Sequence, residues 1–195
     1  MNPTPVVLYG ERVRLEPLDH RHADELLDQA QNDEIWRYMP VPRPTSRADI
    51  ENQIDKAWKA ASEGLEVPFA VIDVKTGQAV GSTRYHDIHR PDRILEIGWT
   101  WLGMAAQRTA INTESKLLLL RHAFDDQGAL RVQLKTDGRN LRSQKAIERL
   151  GAVKEGVLRR NRLMWDGFRR DTVYYSILND EWPAVKSRLE GLLGS

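Results

Sequence analysis

Leu130, Val132 and Leu134 alternate with Arg131, Gln133 and Lys135, the period of a strand with one buried face. Elsewhere the apolar residues return every three or four positions. Ala23, Leu26, Leu27 and Ala30 do so across residues 21–31, behind Asp19 as a cap. Ile50, Ile54, Ala57 and Ala61 do so across 47–61, behind Thr45 or Ser46. Between these helices the pattern predicts a short helix over 33–38 and an extended break at Pro40, Pro42 and Pro44. A first strand is expected over 6–15, where Val13 and Leu15 are flanked by charges.

From Gly64 the period changes. Strands are expected over 67–74, 78–88 and 93–102, joined by Lys75-Thr76-Gly77 and by His89-Arg90-Pro91-Asp92, which makes an antiparallel meander. A helix follows over 113–125 with Leu117, Leu120 and Phe124 as its stripe, and Gly128 ends it. After the strand at 130–135, Asn140 caps a helix that Gly151 closes. A hairpin (157–165 and 170–178, turning at Asp166-Gly167) and a helix over 181–193 complete the chain. The order β-α-α-β-β-β-α-β-α-β-β describes a mixed sheet with helices against it. Its antiparallel half precedes a βαβ step, so the chain changes direction near residues 102–130, and ligands favour the strand ends where neighbouring strands part.

That step contains the most telling local signal. Residues 106–114 carry an apolar strand directly into a helix. The first N–H groups of such a helix lack partners, and with the positive end of the helix dipole they form a phosphate site. The segment from Asn140 to Gly151 follows about thirty residues later. Together the two segments suggest an enzyme that holds a phosphorylated acyl carrier and transfers its acyl group.

Composition narrows the classes. The 195 residues suffice for a substantial core and are expected to form one domain over 1–195. With 29 basic and 28 acidic residues no global field argues for nucleic acid or an anionic membrane surface. Without cysteine there is no thiolate nucleophile, disulfide or cysteine metal site. No signal-peptide pattern and no apolar run long enough to span a bilayer is evident, so a cytoplasmic protein is expected. The five histidines show no metal spacing, and no metal is expected. Arg159, Arg160, Arg162, Arg169 and Arg170 gather on the last hairpin, either as a solvated face or as a receiver for an acidic substrate or a coenzyme phosphate.

Several segments in this order resemble the GNAT N-acetyltransferases, in particular the Rim type that acetylates ribosomal-protein N-termini. They are Gly10-Glu11-Arg12-Val13-Arg14-Leu15, Phe69-Ala70-Val71 through Thr76-Gly77 to Val80-Gly81, Glu96-Ile97-Gly98-Trp99, the strand–loop–helix, Asn140 to Gly151, and Glu155-Gly156-Val157-Leu158-Arg159. The resemblance implies a GNAT-type α/β (α+β) fold with a mixed, mostly antiparallel central sheet flanked by helices. It implies acetyl-coenzyme A as donor and a primary amine as acceptor, either a protein N-terminus or a small molecule, in a monomer or homodimer. The family's pyrophosphate loop reads Gln/Arg-x-x-Gly-x-Gly/Ala, and Gln107, Arg108, Thr109, Ala110, Ile111 and Asn112 match it with Ala110 and Asn112 at the small-residue positions. Asn112 is expected to cap the helix that starts at Thr113. The missing glycines leave a second reading open, a non-catalytic module that binds coenzyme A as sensor or scaffold.

Direct attack by an amine needs a base, a donor to the carbonyl oxygen and a proton for the leaving thiolate. Glu96 is the candidate base, against a solvated carboxylate or one paired with Arg84; His86 and Asp87 are weaker candidates. Alternation places Leu95, Ile97 and Trp99 on one face and Glu96, Gly98 and Thr100 on the other. One residue more than the family's usual aromatic-Trp-Leu lies in Trp99-Thr100-Trp101-Leu102, which suggests a bulge there. Backbone N–H groups around Trp101 and Leu102 are the candidate carbonyl donors. Ser143 is the candidate proton donor to sulfur, against a serine bonded to backbone in the first helical turn. Asn140 either positions the pantetheine arm or simply caps the helix.

Overall fold

The computed structural model describes residues 1–194. The expected first strand is two short ones, β1 (Leu8–Tyr9) and β2 (Val13–Pro17), separated by a turn at 10–12. A single 3-10 turn at His20–His22 leads into α1 (Ala23–Gln29), followed by α2 (Asp33–Trp36) and α3 (Arg47–Ser62). Ser46 caps α3 through a reciprocal pairing with Asp49, as its spacing suggests. The meander is β3 (Val67–Asp73), β4 (Ala79–His89) and β5 (Ile94–Leu102). Then come α4 (Ala110–Arg121), β6 (Arg131–Asp137), α5 (Leu141–Leu150), β7 (Val153–Leu163), β8 (Arg169–Leu178) and α6 (Trp182–Gly194). Among the described residues no helix is long and apolar enough to cross a membrane.

All eight strands join one sheet in the order β1-β2-β3-β4-β5-β6-β8-β7. Only β5 and β6 run parallel; every other neighbour is antiparallel. Because side chains alternate, each face has its own core. Leu15, Phe69, Tyr85, Leu95 and Val132 pack with α4 and α6 on one face. Ala70, Ile72 and Trp101 pack with α1, α2 and α3 on the other. The sheet is thus covered on both sides along β2–β5, while β7 is an exposed edge.

Two irregularities shape the site. The first is that β5 and β6 pair only through Ile94–Arg131, Leu95–Val132 and Glu96–Gln133, and beyond these the two strands part. The second is the expected bulge. Arg84 of β4 faces Gly98 and Ser82 faces Trp101, so β5 carries one extra residue there, and Trp99 adopts a φ of 52°. That residue reverses the alternation predicted for the end of β5. Trp101 enters the α1–α3 core, and Thr100 turns to α4, where it accepts from Lys116 Nζ at 2.7 Å.

The Gly10-Glu11-Arg12-Val13 segment is explained by packing. The Glu114 carboxylate, buried on α4, accepts from the backbone N–H groups of Glu11, Arg12 and Val13 at 3.2, 2.7 and 2.6 Å. A Cβ at position 10 would lie 2.8 Å from that carboxylate, so only glycine fits.

Candidate active site

Helix α4 begins three residues earlier than its apolar stripe suggests. Its cap is Thr109, whose Oγ1 accepts from Ile111 N at 3.2 Å, and Asn112 lies inside the first turn. The reason is steric and local: Arg108 takes the left-handed conformation (φ 60°) and turns the chain, after which Ala110 and Asn112 are ordinary helical residues. Glycine's positive φ is therefore not required at either position. Helix geometry leaves the N–H groups of Ala110 and Asn112 without intrahelical partners. The Arg108 side chain is exposed beside them.

The other residues expected at the cofactor divide by direction. Gln107 is a brace: its Nε2 donates to Leu102 O at 2.8 Å and its Oε1 accepts from Arg142 at 2.9 Å. Thr113 is buried and accepts from Arg149 at 3.0 Å, and Ile111 packs in the core, so neither side chain is offered to a ligand. Trp101 packs against Trp36 at a tilt (centroids 5.1 Å apart), and Leu102 packs in the α4 core, which leaves only their backbone for a carbonyl. Asn140 is the cap of α5; its Oδ1 accepts from Ser143 N at 3.0 Å. The Ser143 hydroxyl itself makes no hydrogen bond among the described residues and lines the cavity.

That cavity, about 520 Å³, occupies the opening between β5 and β6. It reaches from Arg108, Thr109 and Asn112 to Glu96 and the last hairpin, and Tyr38 and Met39 cover part of it. Its size is that of a small-ligand site.

Glu96 lies at the fork itself. Its side chain is 1 % exposed, and it is held by Lys135 Nζ at 2.9 Å and Gln133 Nε2 at 3.0 Å. The alternative pairing with Arg84 does not occur, since Arg84 pairs with Glu66 at 2.7 Å and lies over the Trp99 ring. His86, opposite Glu96 on β4, places Nε2 3.0 Å from Glu96 Oε1 but off the hydrogen-bond line, so this buried nitrogen has no hydrogen-bond partner. A Cβ at Gly98 would come within 2.3 Å of it, so Gly98 makes room for the imidazole. His86, Asp87 and Glu96 present three ligand-type atoms within 4.8 Å of one another. Lys135, however, already bridges both carboxylates, with Asp87 at 3.0 Å, so a cation of the chain itself fills that role. Burial opposes the Lys135 charge, yet Glu96 and Asp87 hold its pKa above the ordinary lysine value.

One site residue escaped the sequence reading. Lys116 lines the cavity from α4, fully buried, and donates to the Thr100–Thr83 hydroxyl pair. Burial lowers its pKa to about 7. The signal was present: a lysine inside Thr113-Glu114-Ser115-Lys116-Leu117-Leu118-Leu119-Leu120, on a helix buried nearly all round. The unfolded chain keeps this amine protonated to near pH 10.4, whereas the folded chain releases the proton near 7. Between those values the unfolded state binds more protons, so this group's contribution to stability rises with pH. Relative to Lys116→Met, wild type is expected to gain on the order of 2 kcal/mol between pH 7 and pH 9. Urea unfolding of both proteins at the two pH values measures it; a constant difference contradicts a buried, neutralised lysine.

Comparisons with known proteins show the family and the fold. Residues 12–153 match the family model described as the acetyltransferase (GNAT) domain. A solved GCN5-related N-acetyltransferase from Brucella melitensis is 31% identical, with a TM-score of 0.92, over 98% of this chain and 86% of that one. A "putative acetyltransferase" from T. thermophilus is 38% identical, with a TM-score of 0.90, over 99% and 100% of the two chains. Among curated proteins, "Putative ribosomal N-acetyltransferase YdaF" of Bacillus subtilis is 28% identical over 88% of this chain and 92% of that protein.

Proposed function

Because the chain belongs to the GNAT family of acetyl-coenzyme A-dependent acyltransferases, we propose that it acetylates a primary amine by direct attack in the fork between β5 and β6. The observation that carries this reading is the cavity itself. It links the unpaired N–H groups at the start of α4 to a buried carboxylate at the other end, with a free hydroxyl between.

The residues present suit acetyl-coenzyme A. The N–H groups of Ala110 and Asn112, with Arg108, would hold the pyrophosphate, and the bulged backbone at Trp99–Leu102 would receive the thioester carbonyl. When bound, the donor supplies an activated acetyl group, so no nucleophile from the protein is needed. Glu96 takes the proton that an ammonium must lose before it attacks. The second proton, lost from nitrogen as the amide forms, passes through water or the Ser143 hydroxyl to the sulfur of the broken C–S bond, so the relaying group regains the proton it gives. Lys135 and Gln133 fix the Glu96 carboxylate in one orientation.

The YdaF name favours an amine of a ribosomal protein as acceptor, and the 28% identity to that protein is the support for it. The direct test is release of free thiol from acetyl-coenzyme A across a panel of peptides and small amines. A protein that binds coenzyme A but releases no thiol with any of them would be a sensor or scaffold instead.

For Ser143 the expected result is modest. Ser143→Ala should reduce turnover by about tenfold or less while coenzyme binding stays constant, because water can replace a lost donor. Since Ser143 Oγ makes no bond to backbone, thermal stability should hardly change. Unchanged turnover on a fully folded variant would remove Ser143 from proton transfer.

A further inference from the structure

The cavity carries two guanidinium groups that form no ion pair with any described residue; Asp137 and Glu96 act on Arg170 only through space. Arg162 on β7 and Arg170 on β8 face each other across the strand pair, an arrangement of like charges that by itself destabilises a hairpin. It is a built feature: the register between Leu158 and Arg162 shifts, Arg160 takes a φ of 50°, and its N–H donates to Asp171 at 2.7 Å. The bulge brings Arg162 opposite Arg170, and both line the cavity.

Arg170 is 6 % exposed, yet its Nε is buried without a hydrogen-bond partner, and so is the hydroxyl of Thr172, two residues on along the same strand. Neither arginine forms an ion pair with any described residue; Arg162 makes only a contact to the Trp99 ring at 5.9 Å. The nearby acids are already engaged. Asp137 accepts from Arg139 N, Nε and Nη2, and Glu96 accepts from Lys135 and Gln133. Burial lowers the Arg170 pKa, as expected of a guanidinium removed from water; the Asp137 and Glu96 charges oppose that shift and the Arg162 charge adds to it. A buried donor left unpaired is costly, and a fixed guanidinium fork matches a carboxylate or phosphate in two bonds.

We propose that the acceptor amine carries an anionic group, a carboxylate, that Arg162 and Arg170 receive while its nitrogen lies at Glu96. This rests on the amine-acetylation reading and narrows its substrate class. Glu96, Arg162 and Arg170 line the same cavity, so the two ends of one short molecule, or the first residues of one peptide, can occupy both places.

The test uses matched acceptors in the thiol-release assay: an ω-amino carboxylate against its amide, and a short peptide with Glu at its second position against the same peptide with Gln. In one arm or both, the anionic member should show a kcat/KM about 10–100-fold higher, the size of a charge-assisted bond in a partly buried site. Arg170→Gln should bring that preference to within about threefold without changing coenzyme A affinity. Arg162→Gln, at an exposed position, should act in the same direction and serves if the buried variant does not fold. Equal rates for neutral and anionic members in both arms overturn the proposal while leaving amine acetylation standing. So does a preference that survives both variants. Absence of thiol release with any amine overturns both readings.

Discussion

Glu96→Gln is expected to lower turnover with an amine acceptor by about 10²–10⁴-fold near neutral pH, the range of general-base assistance. Glutamine keeps the volume and one acceptor oxygen, so the fork between β5 and β6 should stay closed around it, but it cannot take a proton. The deficit should be largest at low pH, where nearly all of the acceptor is ammonium, and should shrink as pH rises towards the acceptor's own pKa. A merely structural role would lower turnover by the same factor at every pH. The pH–rate profile of kcat/KM, taken on protein whose thermal unfolding matches wild type, separates these outcomes. A profile parallel to wild type removes Glu96 from the mechanism and leaves His86 or bulk water as proton acceptor.

Glu114→Ala should cause the largest loss of stability, about 3 kcal/mol or more. Three backbone N–H groups, two of them at 2.6 and 2.7 Å, share this one buried carboxylate. Hydrogen bonds to a charged group contribute about 1.5–3 kcal/mol each, and burial keeps water from replacing them all. In a chain of this length the loss corresponds to a fall of roughly 6–12 °C in Tm. Turnover per folded molecule should persist, because Glu114 faces the β1–β2 turn rather than the cavity. A fall of only a degree or two would mean that the turn's N–H groups find water or other partners at little cost.

Most of the element order was legible because it rests on local periodicity. The alternation at 130–135 and the stripes of α1 and α3 identify their elements without reference to any neighbour. Boundaries were less legible where a terminus depends on backbone conformation rather than side-chain type. Nothing about Arg108 advertises a positive φ, so the start of α4 at Ala110 was placed too late, and Asn112 was assigned a capping role that Thr109 performs. The split of the first strand depends on Glu114, about a hundred residues away, and no local pattern encodes it.

At the site, residue types and spacing along the chain sufficed to single out Glu96, Asn140 and the strand–loop–helix, while the family resemblance pointed to Ser143 and to an extra residue near Trp99. Direction and pairing were decided elsewhere. That single inserted residue exchanges the faces of Trp99 and Thr100, because the period of a strand is two and a shift of one reverses every later side chain. Lys135 reaches Glu96 only because β6 lies parallel to β5, and Arg162 comes opposite Arg170 only because the register of β7 shifts before it. Sequence by itself determined which elements form and which chemical groups are available, since both follow from neighbours within a few residues. Tertiary structure decided which groups are paired, which are left without partners and which face the cavity, since those depend on contacts between segments far apart in the chain.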